Sequence, residues 1–110
     1  MPPRPRRSCL TVPGSSMRML EKAAALEVDE VVFDLEDGTA AADKEAARAN
    51  LGAAGARGTL AVRINGIGTP WWRDDLAAVR ERKPDVVGYR REKNRTSIDD
   101  LPAFDDDPVA

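Results

Sequence analysis

The strongest constraint on this chain is a rhythm. Short β-branched, apolar runs alternate with stretches of helical periodicity, one pair every 25 residues or so (roughly). Residues 8–12 (SCLTV) predict a first strand, broken by Pro13-Gly14. Ser15 or Ser16 then caps a helix that runs to about Leu26, with Leu20, Ala23 and Ala24 as its apolar stripe. Residues 30–35 (EVVFDL) predict a second strand. Asp43 is placed to cap a helix over 44–54, with Ala47, Leu51 and Ala54 on one face and Gly52 or Gly55 as terminator. Residues 59–65 (TLAVRIN) predict a third strand. Thr69 and Pro70 read as the N-cap and first residue of a helix carrying Trp72, Leu76 and Val79. After Pro84, residues 85–90 predict a fourth strand, and 97–102 a last short helix.

The predicted order is β-α-β-α-β-α-β-α, which implies an α/β fold built on a parallel sheet. Four such units are half of an eight-unit (β/α) barrel of about 250 residues. Two architectures therefore fit: a small open α/β domain, or half of a TIM barrel occupying 8–102. Residues 1–7, with three prolines and three arginines, read as a disordered basic arm. Residues 103–110 read as a disordered acidic tail; its run Asp105–Asp107 is of the kind usually left solvated.

At 110 residues the chain is one domain at most. It carries 17 basic and 19 acidic residues, a net charge of -2, so no nucleic-acid partner is expected. No apolar run approaches the ~20 residues that cross a bilayer, so no membrane partner is expected either. The basic start is not followed by the apolar core of a signal peptide. The single cysteine, Cys9, excludes an intrachain disulfide and suits a cytoplasmic protein; it reads as a buried strand residue rather than a nucleophile. With no histidine in the chain, histidine bases, histidine metal ligands and Ser/His or Cys/His dyads are excluded within it.

Side chains alternate along a strand. On the second strand Val31, Phe33 and Leu35 share one face, and Val32, Asp34 and Glu36 the other. On the third, Leu60, Val62 and Ile64 oppose Ala61, Arg63 and Asn65. The apolar faces should lie under the helices, and the mixed faces should turn polar toward the C-terminal strand ends. Ligand sites of parallel α/β folds lie at those ends. Asp34, Glu36, Arg63 and Asn65 converge there, either as a site or as an internal ion pair of Arg63 with Asp34 or Glu36. Arg18 and Lys22, spaced i and i+4 behind the Pro13–Ser16 turn, read as an anion site at a helix start or as a solvated basic pair. Trp72 has core spacing, whereas Trp71 could stack; the Asn65–Gly68 loop is too poor in glycine to mark a dinucleotide site.

Three segments, RSCLTVPGSSMRMLEKAAAL, DEVVFDLEDGTAAADKEAARANL and AVRINGIGTPWWRDDLAAV, resemble successive stretches of the HpcH/HpaI aldolase/citrate lyase family, in particular its citrate lyase beta-subunit-like and malyl-CoA lyase-like members. The resemblance covers about residues 7 to 80 and implies the N-terminal half of a (β/α)₈ barrel. It further implies a lyase that cleaves or forms a C–C bond in a 3-hydroxy acid or its CoA thioester, using Mg²⁺ as template and Lewis acid. By resemblance Arg63 is the catalytic contact to the substrate carboxylate and oxyanion. Glu36, Asp37 and Asn65 belong to the substrate and metal-water network, and Arg18 and Lys22 to the CoA phosphates. The family's metal carboxylates lie on later strands, so no metal ligand is expected within this chain, which by itself should be inactive or dependent on a partner. A homo-oligomer is expected for the full-length family. The likeness fades after residue 85, where Glu92-Lys93-Asn94-Arg95-Thr96 stands in place of the family's Pro-Lys-Val-Glu-Ser-like segment. A non-catalytic module that binds CoA or an anion, or that completes a barrel with another chain, is the second reading.

Overall fold

The computed structural model describes residues 8–66, 68–89 and 94–102. The predicted arm (1–7) and acidic tail (103–110) lie outside these residues. The first strand, β1 (Cys9–Pro13), ends in a turn whose Gly14 packs against Phe33. A Cβ at Gly14 would sit 2.7 Å from the Phe33 ring, so only glycine lets the turn close onto the core. Ser16 caps α1 (Met17–Ala25), its hydroxyl accepting a hydrogen bond from the Met19 amide at 3.3 Å. Strand β2 (Glu30–Asp34) follows, then a 3₁₀ turn (Ala41–Asp43), helix α2 (Lys44–Asn50) and a second 3₁₀ turn (Leu51–Ala53). Strand β3 (Thr59–Arg63), helix α3 (Trp72–Arg82), strand β4 (Val86–Tyr89) and strand β5 (Asn94–Ser97) complete the order, with a last 3₁₀ turn at Ile98–Asp100.

Two predicted caps are not made. Asp43 precedes α2, but the 3₁₀ turn before it already holds its backbone helical (φ -103, ψ -1), whereas a capping side chain needs an extended backbone. Thr69 donates its hydroxyl to the Gly66 carbonyl at 2.8 Å, and α3 begins three residues later, at Trp72. Asp74 and Asp75 in its first turn and Arg80 and Arg82 in its last suit the helix dipole instead. Neither Gly52 nor Gly55 has the left-handed φ of a terminating glycine. That conformation falls to Lys83 (φ 55), which closes α3 with its amide on the Val79 carbonyl.

The sheet order is β1-β2-β3-β4-β5. The first three junctions are parallel, with Cys9 beside Glu30, Asp34 beside Arg63 and Arg63 beside Gly88. The apolar rows pack as their alternation requires: Val31, Phe33, Leu35, Leu60, Val62 and Ile64 join Leu20, Ala47, Leu76 and Val79 in one core. Trp72 is buried in that core. Glu30, Val32 and Asp34, with Thr59, Ala61 and Arg63, form the opposite face.

The sequence reading fails at the end of the sheet. No eighth element returns as a helix over 97–102. Instead β5 pairs antiparallel with β4, Val86 beside Ser97 and Gly88 beside Arg95, and a single 3₁₀ turn follows. The segment 97–102 is a poor helix, since Ser97, Asp99 and Asp100 are weak helix formers and Pro102 stops one, whereas Thr96 favours a strand. Cys9 is exposed, not buried, because it lies on the uncovered face of the edge strand, its thiol donating to Glu30 at 3.6 Å. No helix among the described residues is long and apolar enough to cross a membrane.

Leu76→Ala should lower stability by about 2–5 kcal/mol through the cavity it leaves. Lys83→Gly should raise it by up to about 1 kcal/mol by relieving the left-handed backbone. Urea unfolding of the two variants measures both shifts, which must have opposite signs.

Candidate functional site

Asp34 is the last residue of β2 and is buried. Four donors reach its carboxylate. The Glu36 and Gly38 amides donate at 2.8 Å each, and Arg63 donates from Nε at 3.0 Å and from Nη2 at 2.5 Å. The two backbone bonds require the chain to fold straight back over Asp34. At Gly38 a Cβ would lie 2.6 Å from Asp34 Oδ2, so a side chain there would displace the carboxylate. The Thr39 hydroxyl donates to the Asp34 carbonyl at 2.7 Å and closes the same turn.

These contacts set the charges. Burial by itself pushes the Asp34 carboxyl up, but the Arg63 bonds and the two amides outweigh it and hold the group below the ordinary 3.8. The Asp34 hydrogen bond lifts the Arg63 guanidinium above its usual value against its own partial burial, aided by the charges of Asp34, Glu36 and Asp37. Arg63 is therefore a permanent cation whose bidentate partner fixes its plane. Nη1 makes no hydrogen bond to a described residue in this arrangement. The Glu36 carboxylate approaches Nε at 3.6 Å.

Four of the predicted site residues line two separate cavities. Arg63 lines one of about 340 Å³ on the inner face of the sheet, with Thr11, Val32, Ala61, Gly88 and Arg95. Glu36, Asp37 and Asn65 line another of about 360 Å³ beyond the strand ends, with Thr39, Lys44 and Trp71. Asn65 does not continue the row of Ala61 and Arg63. Strand β3 ends at Arg63, and beyond it the Asn65 backbone amide and side-chain amide both donate to Asp75 on α3, at 3.0 and 2.5 Å. Asp75 takes Arg48 Nε at 2.9 Å on its other oxygen. Arg18 and Lys22 are exposed on α1, and no described residue pairs with either.

Sequence reasoning did not single out Lys44. Its ammonium is buried, donates to the Leu35 and Glu36 carbonyls at 2.8 and 2.9 Å, and lies 4.8 Å from the centre of the Trp71 ring. It ties down the two peptide groups that carry Glu36 into the site, and it gives Trp71 a cation–π contact rather than a place in the core. Arg48, Asp75, Glu30 and Arg95 were also passed over. Each is one charge among many in a chain that is one-third charged, and only the fold brings the pairs together.

The model of the HpcH/HpaI aldolase/citrate lyase family matches residues 7–88. The chain belongs to this family. A (3S)-malyl-CoA thioesterase of Cereibacter sphaeroides is 41% identical over 99 residues, covering 86% of this chain and 35% of that protein. An L-malyl-CoA/beta-methylmalyl-CoA lyase of the same species is 43% identical over 89 residues, covering 76% of this chain and 28% of the lyase. Among solved structures, CitE of Mycobacterium tuberculosis in complex with magnesium, acetoacetate and coenzyme A is 39% identical with a TM-score of 0.58, covering 66% of this chain and 27% of CitE. RipC of Yersinia pestis is 32% identical with a TM-score of 0.54, over 76% of this chain and 33% of RipC. The chain thus spans about a third of the family members it matches, and its parallel units are those of the first half of a TIM-type (β/α) barrel.

The described residues do not fit a resident metal ion of the kind bound by CitE. No group of three or more His, Cys, Asp or Glu side chains among them is placed to hold one. Asp34 is saturated by four donors, and Glu36 is shared with Arg63.

The lowered Asp34 pKa stabilises the fold at neutral pH, and that contribution is lost as pH falls below the ordinary 3.8 and through the depressed native value. The urea midpoint of the native chain should therefore drop in this acid window. Asp34→Asn should lower stability at pH 7 by roughly 1–3 kcal/mol, less than the loss of a fully buried pair because Arg63 keeps some access to water. The same variant should show a shallower acid decline. Equal acid slopes for the two proteins would contradict the assignment.

Proposed function

We propose that this chain forms the N-terminal, substrate-holding part of a carbon–carbon lyase that cleaves or forms a 3-hydroxy acid or its CoA thioester. The observation that carries the reading is the Arg63 guanidinium. It stands at the C-terminal end of β3, the functional end of parallel (β/α) units, fixed by Asp34 through two bonds and opening on a cavity. A fixed arginine recognises a planar carboxylate and stabilises the enolate oxygen left when the C–C bond breaks. Because Asp34 already holds the guanidinium in place, little reorganisation is needed when that charge develops.

Glu36 and Asp37 face the neighbouring cavity, where they would order water and the polar end of the acid, with Asn65 at its wall. Arg18 and Lys22, exposed on α1, would meet the CoA phosphates. Relatives named for malyl-CoA and the CitE complex with coenzyme A support a CoA thioester as substrate. The magnesium in CitE supports Mg²⁺ as the cofactor, which when bound would polarise the substrate oxygen. Its ligands would come from outside the described residues. On this reading the 110 residues alone are inactive or depend on a partner, and the complete enzyme is a cytoplasmic homo-oligomer. Arg18 and Lys22, exposed on α1 and needing no metal to meet an anion, support as a second reading a non-catalytic module that binds CoA or completes a barrel.

The purified chain, given malyl-CoA and Mg²⁺, should release no product. It should bind the thioester in calorimetry, and Arg18→Ala with Lys22→Ala should abolish that binding. When the remaining strands are supplied by a malyl-CoA lyase, Arg63→Ala should lower kcat/KM by about 10²–10³ while leaving CoA affinity unchanged. Unchanged turnover in Arg63→Ala would leave only the module reading. Robust Mg²⁺-dependent cleavage by the chain alone would overturn the placing of the metal ligands outside it.

A further inference from the structure

Strand β4 has two edges. One pairs parallel with β3; the other pairs antiparallel with β5. In a closed (β/α) barrel that second edge must pair with a parallel strand. One edge cannot hold both partners at once, so the hairpin seen here and a closed barrel exclude each other.

The segment after β4 is fastened at several points. Arg95, on β5, reaches across the inner face of the sheet and its Nη2 pairs with Glu30 Oε1 on β2. The contact thus spans strands that are not neighbours in the sheet. Glu30 is 5% exposed, so Arg95 meets a carboxylate that is otherwise costly to bury. Arg95 also lines the inner-face cavity above Val32 and Ala61, the apolar floor that a barrel would enclose. Beyond β5, the Ile98 amide donates to the Asp85 carbonyl at 3.3 Å. Leu101 is buried in the core, and Arg80 Nη2 donates to the Pro102 carbonyl at 3.0 Å.

We propose that residues 94–102 are a displaceable cover for the outer edge of β4, and that the Arg95–Glu30 pair is its latch. With the latch closed, the edge on which the sheet would continue is occupied from within the chain, as an exposed edge must be to avoid pairing with other chains. Opening requires Arg95 to leave Glu30 and β5 to peel from β4. The two arrangements form a switch between a self-contained half barrel and a half barrel able to accept further strands. This inference does not depend on the lyase reading, since it concerns only which strand pairs with β4.

Hydrogen exchange on the full chain tests it. In the native protein the β5 amides should be protected together with those of β4. Arg95→Ala should speed exchange of the β5 amides by about tenfold, the scale on which one charge-assisted hydrogen bond acts, and by more than those of β1–β3. Arg95→Lys should fall between the two. A second, independent measurement is a Cys9→Ser, Val86→Cys, Ser97→Cys chain, whose paired positions should crosslink on mild oxidation. Unprotected β5 amides in the native chain, equal protection in Arg95→Ala, or no crosslink would each overturn the proposal.

Discussion

Everything at the C-terminal ends of β2 and β3 depends on one buried carboxylate. Asp34 ends β2, receives the amides of the turn that follows and grips the arginine of the next strand. Without that charge the turn at 35–38 would lose its two anchoring acceptors, and Arg63 would be free to rotate among its rotamers. Glycine at 38 is part of the same constraint, because the backbone must pass within contact distance of the carboxylate. The two interpretations of the converging charges, a structural ion pair and a ligand contact, are therefore compatible. The pair with Asp34 fixes the plane and position of the cation, from which, on the proposed reading, it would meet a substrate.

A second carboxylate on the same strand plays the corresponding part at the other end. Glu30 and Asp34 lie four residues apart on one face of β2, and each is answered by an arginine from another strand. Arg63 comes from the neighbouring β3, but Arg95 comes from β5, beyond two intervening strands. The inner face of the sheet is thus polar at both ends and apolar between them. Compared with apolar side chains of the same size such pairs add little stability, but losing one partner of a pair is costly, and this ties each arginine's strand to its place.

Much of the fold was legible because the apolar rows are clean. Val31, Phe33 and Leu35, and Leu60, Val62 and Ile64, alternate without exception, and burial on the helix side follows from that pattern alone. The first three βα units and the position of Arg63 could be read in the same way. Local chemistry was harder to read. Asp43 and Thr69 looked like caps by residue type, yet a preceding 3₁₀ turn and a nearer carbonyl took precedence. Asn65 was expected to continue the row of Ala61 and Arg63, but the strand ends two residues before it and both its amides go to Asp75, while it still lines the cavity of Glu36 and Asp37. The β4–β5 hairpin was invisible because its latch joins residues 65 positions apart, and only the fold brings them together. Lys44 was hidden for the opposite reason: a lysine on a helix is usually solvated, and nothing in its neighbours shows that it is buried under a tryptophan.

The most direct test of this account is the exchange of the Arg63 Nε–H proton, followed by nitrogen-edited NMR across the acid range. If Asp34 holds the guanidinium as described, this proton should be visible and slow to exchange at neutral pH, should persist as the pH falls toward the ordinary aspartate range, and should vanish in Asp34→Asn. An Arg63 Nε–H that exchanges as fast as those of exposed arginines in the native chain would contradict it, and with it the idea that this half barrel carries a preorganised cation.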